Sequence, residues 1–232
     1  FPETENDVEH IFQQAGKHRI GLMPFSGGSN VMGAFELNEK RPACIVNLQR
    51  MTRLVELDET SHTATFETGI FGPELEKILN ARGFTLGHFP QSFEYSTLGG
   101  WIATRSVGQQ SYRYGRVDEM LLGCEMETTG GAFDLPPIPA SAAGQDLRQV
   151  ILGSEGRLGV ITSAVVRVHP LPEQEHFYAV FFPDWQSGAD AAREIVQQRV
   201  DVSMLRLADA SETDTTLQLS GKVQLMNLAH RG

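Results

Sequence analysis

The chain has 232 residues, of which 41% are hydrophobic and 21% charged, and its formal net charge is -10. This length allows one large domain, or one domain and part of another, with the composition of an ordinary soluble globular protein. The negative charge and an aromatic content of 8% argue against nucleic acid as a partner. No apolar run approaches the roughly 18 residues that a membrane span needs.

Residues that bind metals or form disulfides show no recognisable spacing. Cys44 and Cys124 are far apart, which favours two reduced thiols in a cytosolic protein. His10, His18 and His62 lack metal-ligand spacing, so we expect no metal site. The N-terminal residues lack the basic and apolar blocks of a signal peptide. Because the sequence starts at Phe1 without Met, we expect it to be a portion of a longer protein.

The sequence alternates short strands with amphipathic helices. Thr4 and Asp7 predict a capping box at the start of a helix that ends at Gly16. Pro73 begins a second helix that ends before Gly83, and Ser96 caps a third. Residues 135–145 predict a surface loop. The remaining apolar patterns predict strands at 20–23, 44–48, 54–57, 62–68, 121–129 and 158–168.

A domain boundary is expected near Pro172, where the pattern restarts. Beyond it, residues 177–182 and 203–207 predict strands on either side of a helix at 187–198. We therefore expect a first domain at 1–172 and the beginning of an incomplete second domain at 173–232.

Three glycine-rich segments carry the chemistry. In 24–33, adjacent glycines allow backbone N–H groups to form a nest for pyrophosphate, although the spacing matches neither a Walker loop nor a G-x-G-x-x-G fingerprint. In 90–105, Gly99 and Gly100 lie within a helix, where Gly costs about 1 kcal/mol relative to Ala. Either a ligand approaches there, with phosphate at the helix N-terminus, or another backbone does. The third segment, 153–162, leads into a strand. Each segment alone is also consistent with a plain turn or a tight packing contact.

Together, the three segments resemble the FAD-binding domain of the vanillyl-alcohol-oxidase (PCMH) type. The stretch 92–105, with Tyr114-Gly115 downstream, is most similar to alkyldihydroxyacetonephosphate synthases and their bacterial relatives. Ser26, Ser29 and Asn30 stand where Gly and Thr-Ser are more usual, and Ala34 replaces a second glycine. The resemblance implies an α+β fold of two subdomains with FAD between them, followed by the start of a cap domain that carries substrate residues.

The same resemblance implies the cofactor-binding residues. The first segment contacts the pyrophosphate, the second lines the flavin and its phosphates, and the third holds the adenosine end. These residues are Pro24, Phe25, Ser26, Gly27, Gly28, Ser29, Asn30, Gln91, Ser92, Phe93, Glu94, Tyr95, Ser96, Thr97, Thr104, Arg105, Ser106, Val107, Glu155, Gly156, Arg157, Leu158, Gly159, Val160 and Ile161.

Four other residues are candidates for a part in the site. The loop position that carries a flavin-linking histidine in related enzymes is Ser or Gly here, so we expect FAD without a covalent link and interpret His88 as a buried hydrogen-bonding residue. Arg105 fits either a phosphate contact or a structural ion pair. Arg113 and Arg116 are interpreted as part of a solvated turn.

The resemblance implies a redox-neutral enzyme of ether-lipid synthesis, in which a fatty alcohol replaces the acyl group of acylated dihydroxyacetone phosphate. The alternatives are an FAD-linked oxidase or dehydrogenase of a hydroxy acid such as lactate or glycolate, and a flavin carrier without activity. The catalytic residues are expected beyond Gly232, so this segment alone is expected to be inactive. We expect a small-molecule or lipid substrate and a cytoplasmic location, peroxisomal in a eukaryote, and leave open peripheral membrane contact and a homodimer.

Overall fold

The computed structural model describes residues 1–33, 42–138 and 140–221. Ala34 therefore lies outside the described residues, as does the end of the second predicted domain. The chain divides into two compact units, Phe1–Leu171 and Pro172–Gly232. Both helices and sheets build the first unit, which confirms the predicted α+β class.

A small layer opens the first unit. Helix α1 (Glu5–His18) begins at Thr4, whose side chain accepts from the Asp7 N–H in the predicted capping box. The helix continues past Gly16 and ends where Arg19 takes a left-handed conformation, so the predicted end at Gly16 is wrong. Strands β1 (Gly21–Phe25) and β2 (Ala43–Asn47) pair in parallel. Their core contains Val8, Val46, Leu48, Met51 and Val160.

The main sheet has five antiparallel strands in the order β3-β4-β8-β6-β7. Strand β7 was missed from the sequence because it is short and begins with a glycine, but it pairs with β6 across a turn at Thr129 and Gly130. Two further strands of two residues each, β5 and β9, pair with each other outside this sheet. The bounds are β3 Leu54–Asp58, β4 Thr63–Glu67, β5 Phe84–Thr85, β6 Leu121–Thr128, β7 Gly131–Leu135, β8 Gly159–Arg167 and β9 His169–Pro170.

Short helices cover one face of this sheet and close the larger core. That core buries Phe66, Leu75, Trp101, Leu121 and Ala164, all at most 2% exposed. The helices are α2 (Gly72–Asn80), α3 (Leu98–Thr104), α4 (Ser111–Tyr114), α5 (Val117–Met120) and α6 (Arg148–Ile151), with one 3-10 turn at Phe93–Tyr95. Proline at the start of α2 is as predicted.

The second unit contains two helices within its described residues. Helix α7 (Trp185–Gln197) starts at the Asp184 cap, and α8 (Ala210–Leu219) starts at Asp209. The strands predicted at 177–182 and 203–207 are wrong for the described residues, which show no strand there. A strand is stable only when its backbone pairs with a neighbour. The apolar side chains of Phe177, Tyr178 and Val180 are instead 70%, 86% and 71% exposed.

Candidate cofactor site

The loop after β1 and the start of α3 meet at one point, although 71 residues separate them in sequence. The hydroxyls of Ser26 and Thr97 lie 2.5 Å apart. A Cβ at Gly27 would overlap the Tyr95 carbonyl oxygen, so only glycine permits this approach. The Ser26 carbonyl also accepts from the Gln49 side chain at 2.8 Å. The loop is thus held on both sides.

This junction borders a cavity of about 420 Å³, which all three glycine-rich segments line. Among the described residues that line this cavity, Glu155 is charged, and none is Lys or Arg. An anionic ligand would therefore depend on backbone N–H groups and hydroxyls rather than on cationic side chains.

Free donors are present in the first segment. The N–H groups of 27–30 donate to no acceptor within the part of the chain that the structure describes. Gly28 has φ +65, a left-handed conformation that turns neighbouring N–H groups towards a common centre. Because this loop lines the cavity, its free N–H groups are compatible with a pyrophosphate.

The start of α3 offers fewer donors than its sequence suggested. The N–H groups of Leu98 and Gly99 donate to Ile70 and Thr68 carbonyls at 3.1 and 2.8 Å. The N–H of Gly100 donates to Thr97 Oγ1 at 3.4 Å, which makes Thr97 the cap. Ser96, the expected cap, instead accepts from Trp101 Nε1 at 2.7 Å. These N–H groups are therefore not free for a phosphate, contrary to the expectation.

Gly99 and Gly100 separate the two explanations for glycine inside α3. A Cβ at Gly99 would lie 2.9 Å from Thr68 Cβ, which is a tight contact between the helix and the turn after β4. A Cβ at Gly100 would meet only Thr97 Oγ1, at 3.3 Å. Since Gly100 lines the cavity, the space left open by its missing side chain belongs to the site.

His88 lies behind the cavity wall and is fully buried. Its Nε2 lies 2.6 Å from the Ser106 hydroxyl, and its ring packs edge-on against Trp101 with centroids 4.9 Å apart. Burial lowers the pKa of His88 to about 4, so the ring is neutral at physiological pH. The predicted buried, hydrogen-bonding role of His88 is confirmed.

A buried carboxylate fixes the turn that leads to His88. Glu76 accepts from the Thr85 hydroxyl at 2.8 Å and from the N–H groups of Leu86 and Gly87 at 3.0 and 3.1 Å. Burial raises the pKa of Glu76, although these hydrogen bonds oppose the shift. Each bond to a charged group contributes on the order of 1.5–3 kcal/mol, which makes Glu76 a structural anchor for this segment.

The arginines do not enter the cavity. Arg105 ends α3 in a left-handed conformation and donates from Nη2 to Gln149 at 2.5 Å. Its partner among the described residues is thus an amide and not the carboxylate of a structural ion pair. Arg116 pairs with Asp118 at 3.3 Å, and the Arg113 guanidinium lies 5.8 Å from the Tyr114 ring centre. Both arginines are exposed, as expected for a solvated turn.

Most of the residues proposed from the sequence come together at this cavity. Those that line it are Pro24, Phe25, Ser26, Gly27, Gly28, Ser29, Asn30, Ser92, Ser96, Thr97, Thr104, Ser106, Glu155, Gly156, Gly159 and Ile161. Those that do not are Gln91, Phe93, Glu94, Tyr95, Arg105, Val107, Arg157, Leu158 and Val160. Phe93 packs against the larger core and Val160 belongs to the smaller one.

Sequence reasoning missed several lining residues. Met23, Leu48, Trp101, Ala103 and Ser154 reach the cavity from strands, helices and turns whose direction the sequence does not give. Val31 and Met32 could have been found, because both belong to the first glycine-rich segment, 24–33, and line the cavity with it. They are 93% and 83% exposed beside the cavity.

Metal and membrane features are absent from the residues that the structure describes. No group of three or more His, Cys, Asp or Glu side chains among them could hold a metal ion. Cys44 and Cys124 are free thiols, and burial raises the pKa of Cys124 to about 12. Within the described ranges, no helix is both long and apolar enough to cross a membrane.

Comparison with known proteins identifies the family. The model of the FAD binding domain family matches residues 1–133. The chain belongs to this family. A second model, the C-terminal domain of FAD linked oxidases, matches residues 171–231. FAD is therefore the cofactor. The backbone nest, the hydroxyls and the glycine-lined cavity described above fit a dinucleotide that is bound without a cationic side chain from the described residues.

The chain is similar to several flavoproteins. Alkyldihydroxyacetonephosphate synthase of Dictyostelium discoideum is 39% identical over 92% of this chain and 35% of its own length. The Trypanosoma brucei brucei synthase is 35% identical over the same shares. A solved alkyldihydroxyacetonephosphate synthase has TM-score 0.82 and 39% identity, covering 88% of this chain and 37% of that one. A glycolate oxidase subunit of Bacillus subtilis (strain 168) is 25% identical over 90% of this chain. The chain thus spans about a third of the synthases' length.

Proposed function

We propose that this chain is the FAD-binding part of an enzyme that exchanges acyl for alkyl on acylated dihydroxyacetone phosphate. The similarity to the Dictyostelium synthase carries the proposal: 39% identity extends over 92% of the chain. Hydroxy-acid enzymes among its relatives are less similar: a glycolate oxidase subunit is 25% identical, and two D-lactate dehydrogenases are 29% and 28% identical. In the proposed reaction, the ester C–O bond to the fatty acid breaks and an ether C–O bond to the fatty alcohol forms, without net oxidation.

The residues that line the cavity are proposed to hold FAD. The free N–H groups of 27–30 would bind the pyrophosphate, and Gly100 would leave room for the adjoining part of the dinucleotide. FAD, when bound, supplies the reactive ring that this chain's own side chains cannot provide. The protein would orient the cofactor through the loop that the Ser26–Thr97 contact holds in place. The described residues that line the cavity include no cationic side chain.

A second candidate is an FAD-linked oxidoreductase of a hydroxy acid. The match of residues 171–231 to the C-terminal domain of FAD linked oxidases favours it. Such an enzyme would transfer a hydride from the substrate carbon to the flavin, and a second acceptor would reoxidise the cofactor. The two candidates therefore differ in whether substrate alone reduces the flavin.

Two assays on the full-length protein separate these candidates. In the first, acylated dihydroxyacetone phosphate and a labelled fatty alcohol are supplied, and we expect a labelled ether product with one fatty acid released for each ether formed. In the second, lactate or glycolate is added without oxygen, and we expect the flavin absorbance to stay unchanged. Bleaching by a hydroxy acid, with no ether product, would establish the oxidoreductase instead.

Membrane contact, a homodimer and the cellular location of the enzyme are part of the same proposal. Because both organic substrates carry long apolar chains, contact with a membrane surface would bring them to the protein. Sedimentation with lipid vesicles and the mass of the full-length protein in solution test membrane contact and a homodimer. Cytoplasmic location, or peroxisomal location in a eukaryote, is tested by fractionation.

A further inference from the structure

His88 and Ser106 form a pair that no part of the proposed reaction uses. The two residues are 18 positions apart, and His88 Nε2 lies 2.6 Å from the Ser106 hydroxyl oxygen. Ser106 lines the cavity, whereas His88 lies behind it with no exposed surface. The edge-on contact with Trp101 fixes the plane of the imidazole ring.

The other ring nitrogen indicates which tautomer is present. His88 Nδ1 is buried and has no hydrogen-bond partner among the residues that the structure describes. A neutral ring carries one proton, and a buried N–H without an acceptor is rarer than a buried acceptor without a donor. The proton therefore belongs on Nε2, which donates to the Ser106 oxygen.

This assignment decides what Ser106 can do. Its oxygen accepts from His88, so its own hydrogen remains available to donate. The backbone around it is fixed, because the Ser106 N–H donates to the Trp101 carbonyl at 3.0 Å across the end of α3. A serine held in this way presents a single, oriented donor at the cavity wall.

We propose that His88 is a positioning residue that holds the Ser106 hydroxyl as a donor to an uncharged acceptor atom in the flavin half of FAD. The proposal rests on FAD binding, as the proposed function does. Ser106 follows the C-terminal end of α3, where the partial negative charge of the helix disfavours an anion. A ring carbonyl oxygen or ring nitrogen suits this position better than a phosphate, for which the free N–H groups of 27–30 are placed.

The test is a double-mutant cycle on the full-length protein, stripped of flavin and titrated with FAD and separately with ADP. We expect Ser106→Ala and His88→Phe each to weaken FAD affinity about tenfold, the size of one lost hydrogen bond. The double variant should bind FAD no more weakly than either single variant, because the two changes remove the same donor. Affinity for ADP should change less than about twofold.

Two further variants keep the test decisive. His88→Gln can place an amide N–H near the position of Nε2, and it should recover most of the FAD affinity that His88→Phe loses. His169→Phe is the matched control, since His169 also has a buried, unpartnered ring nitrogen among the described residues but does not line the cavity. It should leave FAD affinity unchanged.

The nitrogen resonances of His88 in the flavin-free protein provide a readout without any ligand, and we expect the Nε2–H form. The Nδ1–H form would overturn the proposal. So would losses that multiply in the double variant, or an equal loss of ADP affinity. Since only binding and tautomer are measured, a failed acyl-exchange assay and a failed positioning role remain separate results.

Discussion

Ser26 and Thr97 share a hydrogen bond of 2.5 Å between their hydroxyls, which joins the first glycine-rich segment to the second. The contact requires Gly27, because a Cβ there would overlap the Tyr95 carbonyl. The backbone on both sides is fixed by pairing of β1 with β2 and by the 3-10 turn that contains Tyr95. Close backbone packing therefore holds the first two glycine-rich segments together.

Gly27→Ala is expected to push the loop after β1 away from the start of α3 and to lower both the stability of the protein and its FAD affinity. Overpacking against a backbone oxygen costs about 1–3 kcal/mol, which should lower the thermal midpoint by several degrees. Gly16→Ala is the matched control, since nothing lies within 4 Å of a Cβ there and Gly16 is inside α1. It should stabilise the protein by about 0.5–1 kcal/mol. Equal midpoints for the two variants would contradict the packing role of Gly27.

Gly28→Val is expected to abolish FAD binding while leaving the protein soluble. At φ +65 a branched residue is strained, and its Cβ would lie 2.9 Å from the Phe25 ring that lines the cavity. Gly83→Val tests strain alone: its φ is +80, and a Cβ there meets nothing within 4 Å. It should lose stability and keep FAD. Full flavin occupancy in Gly28→Val would show that the loop is only a turn.

Gly99→Ala and Gly100→Ala are expected to act in opposite ways. Alanine at Gly99 would press on Thr68 and should lower the free energy of unfolding. Alanine at Gly100 has space, and higher helix propensity should raise that free energy by up to about 1 kcal/mol. Because Gly100 lines the cavity, its variant should bind FAD more weakly despite this gain. Unfolding curves and FAD titrations on both variants check the contrast.

FAD is expected to be held without a covalent link. Within the described residues, no His or Cys lines the cavity, and His88 Nε2 is already bonded to Ser106. Acid denaturation followed by filtration should leave colourless protein and yellow filtrate. Flavin colour that stays with the denatured protein would disprove this prediction.

Stability is expected to fall as pH rises between about 4.5 and about 7 because of Glu5. Glu5 is an exposed residue, but partial desolvation of its carboxyl, with a hydrogen bond to Glu125 and the charge of Glu125, raises its pKa to about 7. The folded protein then binds more protons than the unfolded chain in this range, so raising the pH favours unfolding. Thermal midpoints at about pH 5 and about pH 8 measure the effect. Glu5→Gln and Glu125→Gln should each flatten the dependence, and wild-type slopes in both would contradict it.

Local signals in the sequence determined much of this protein. The Thr4–Asp7 capping box, Pro73 in the first turn of α2 and the alternation before Thr68 each encode an element through hydrogen bonds or packing within a few residues. The three glycine-rich segments, taken together, resembled the FAD-binding family, although each segment alone was also consistent with a plain turn. The prediction of a strand at 177–182 failed because a strand also needs a neighbouring strand. These residues are apolar, yet the described chain gives them no neighbour to pair with.

Only the tertiary structure decided which glycines serve the cofactor and which serve packing. Gly99 and Gly100 are adjacent and both line the cavity, but a Cβ at Gly99 would press on Thr68, whereas a Cβ at Gly100 would meet only Thr97 Oγ1. The same holds for Thr97, whose neighbours Leu98 and Gly99 donate their N–H groups to Ile70 and Thr68. These N–H groups donate to carbonyls about 30 positions away, and sequence spacing does not show which distant carbonyl will accept them. The direction of a side chain and the partner of an N–H are properties of the packed chain.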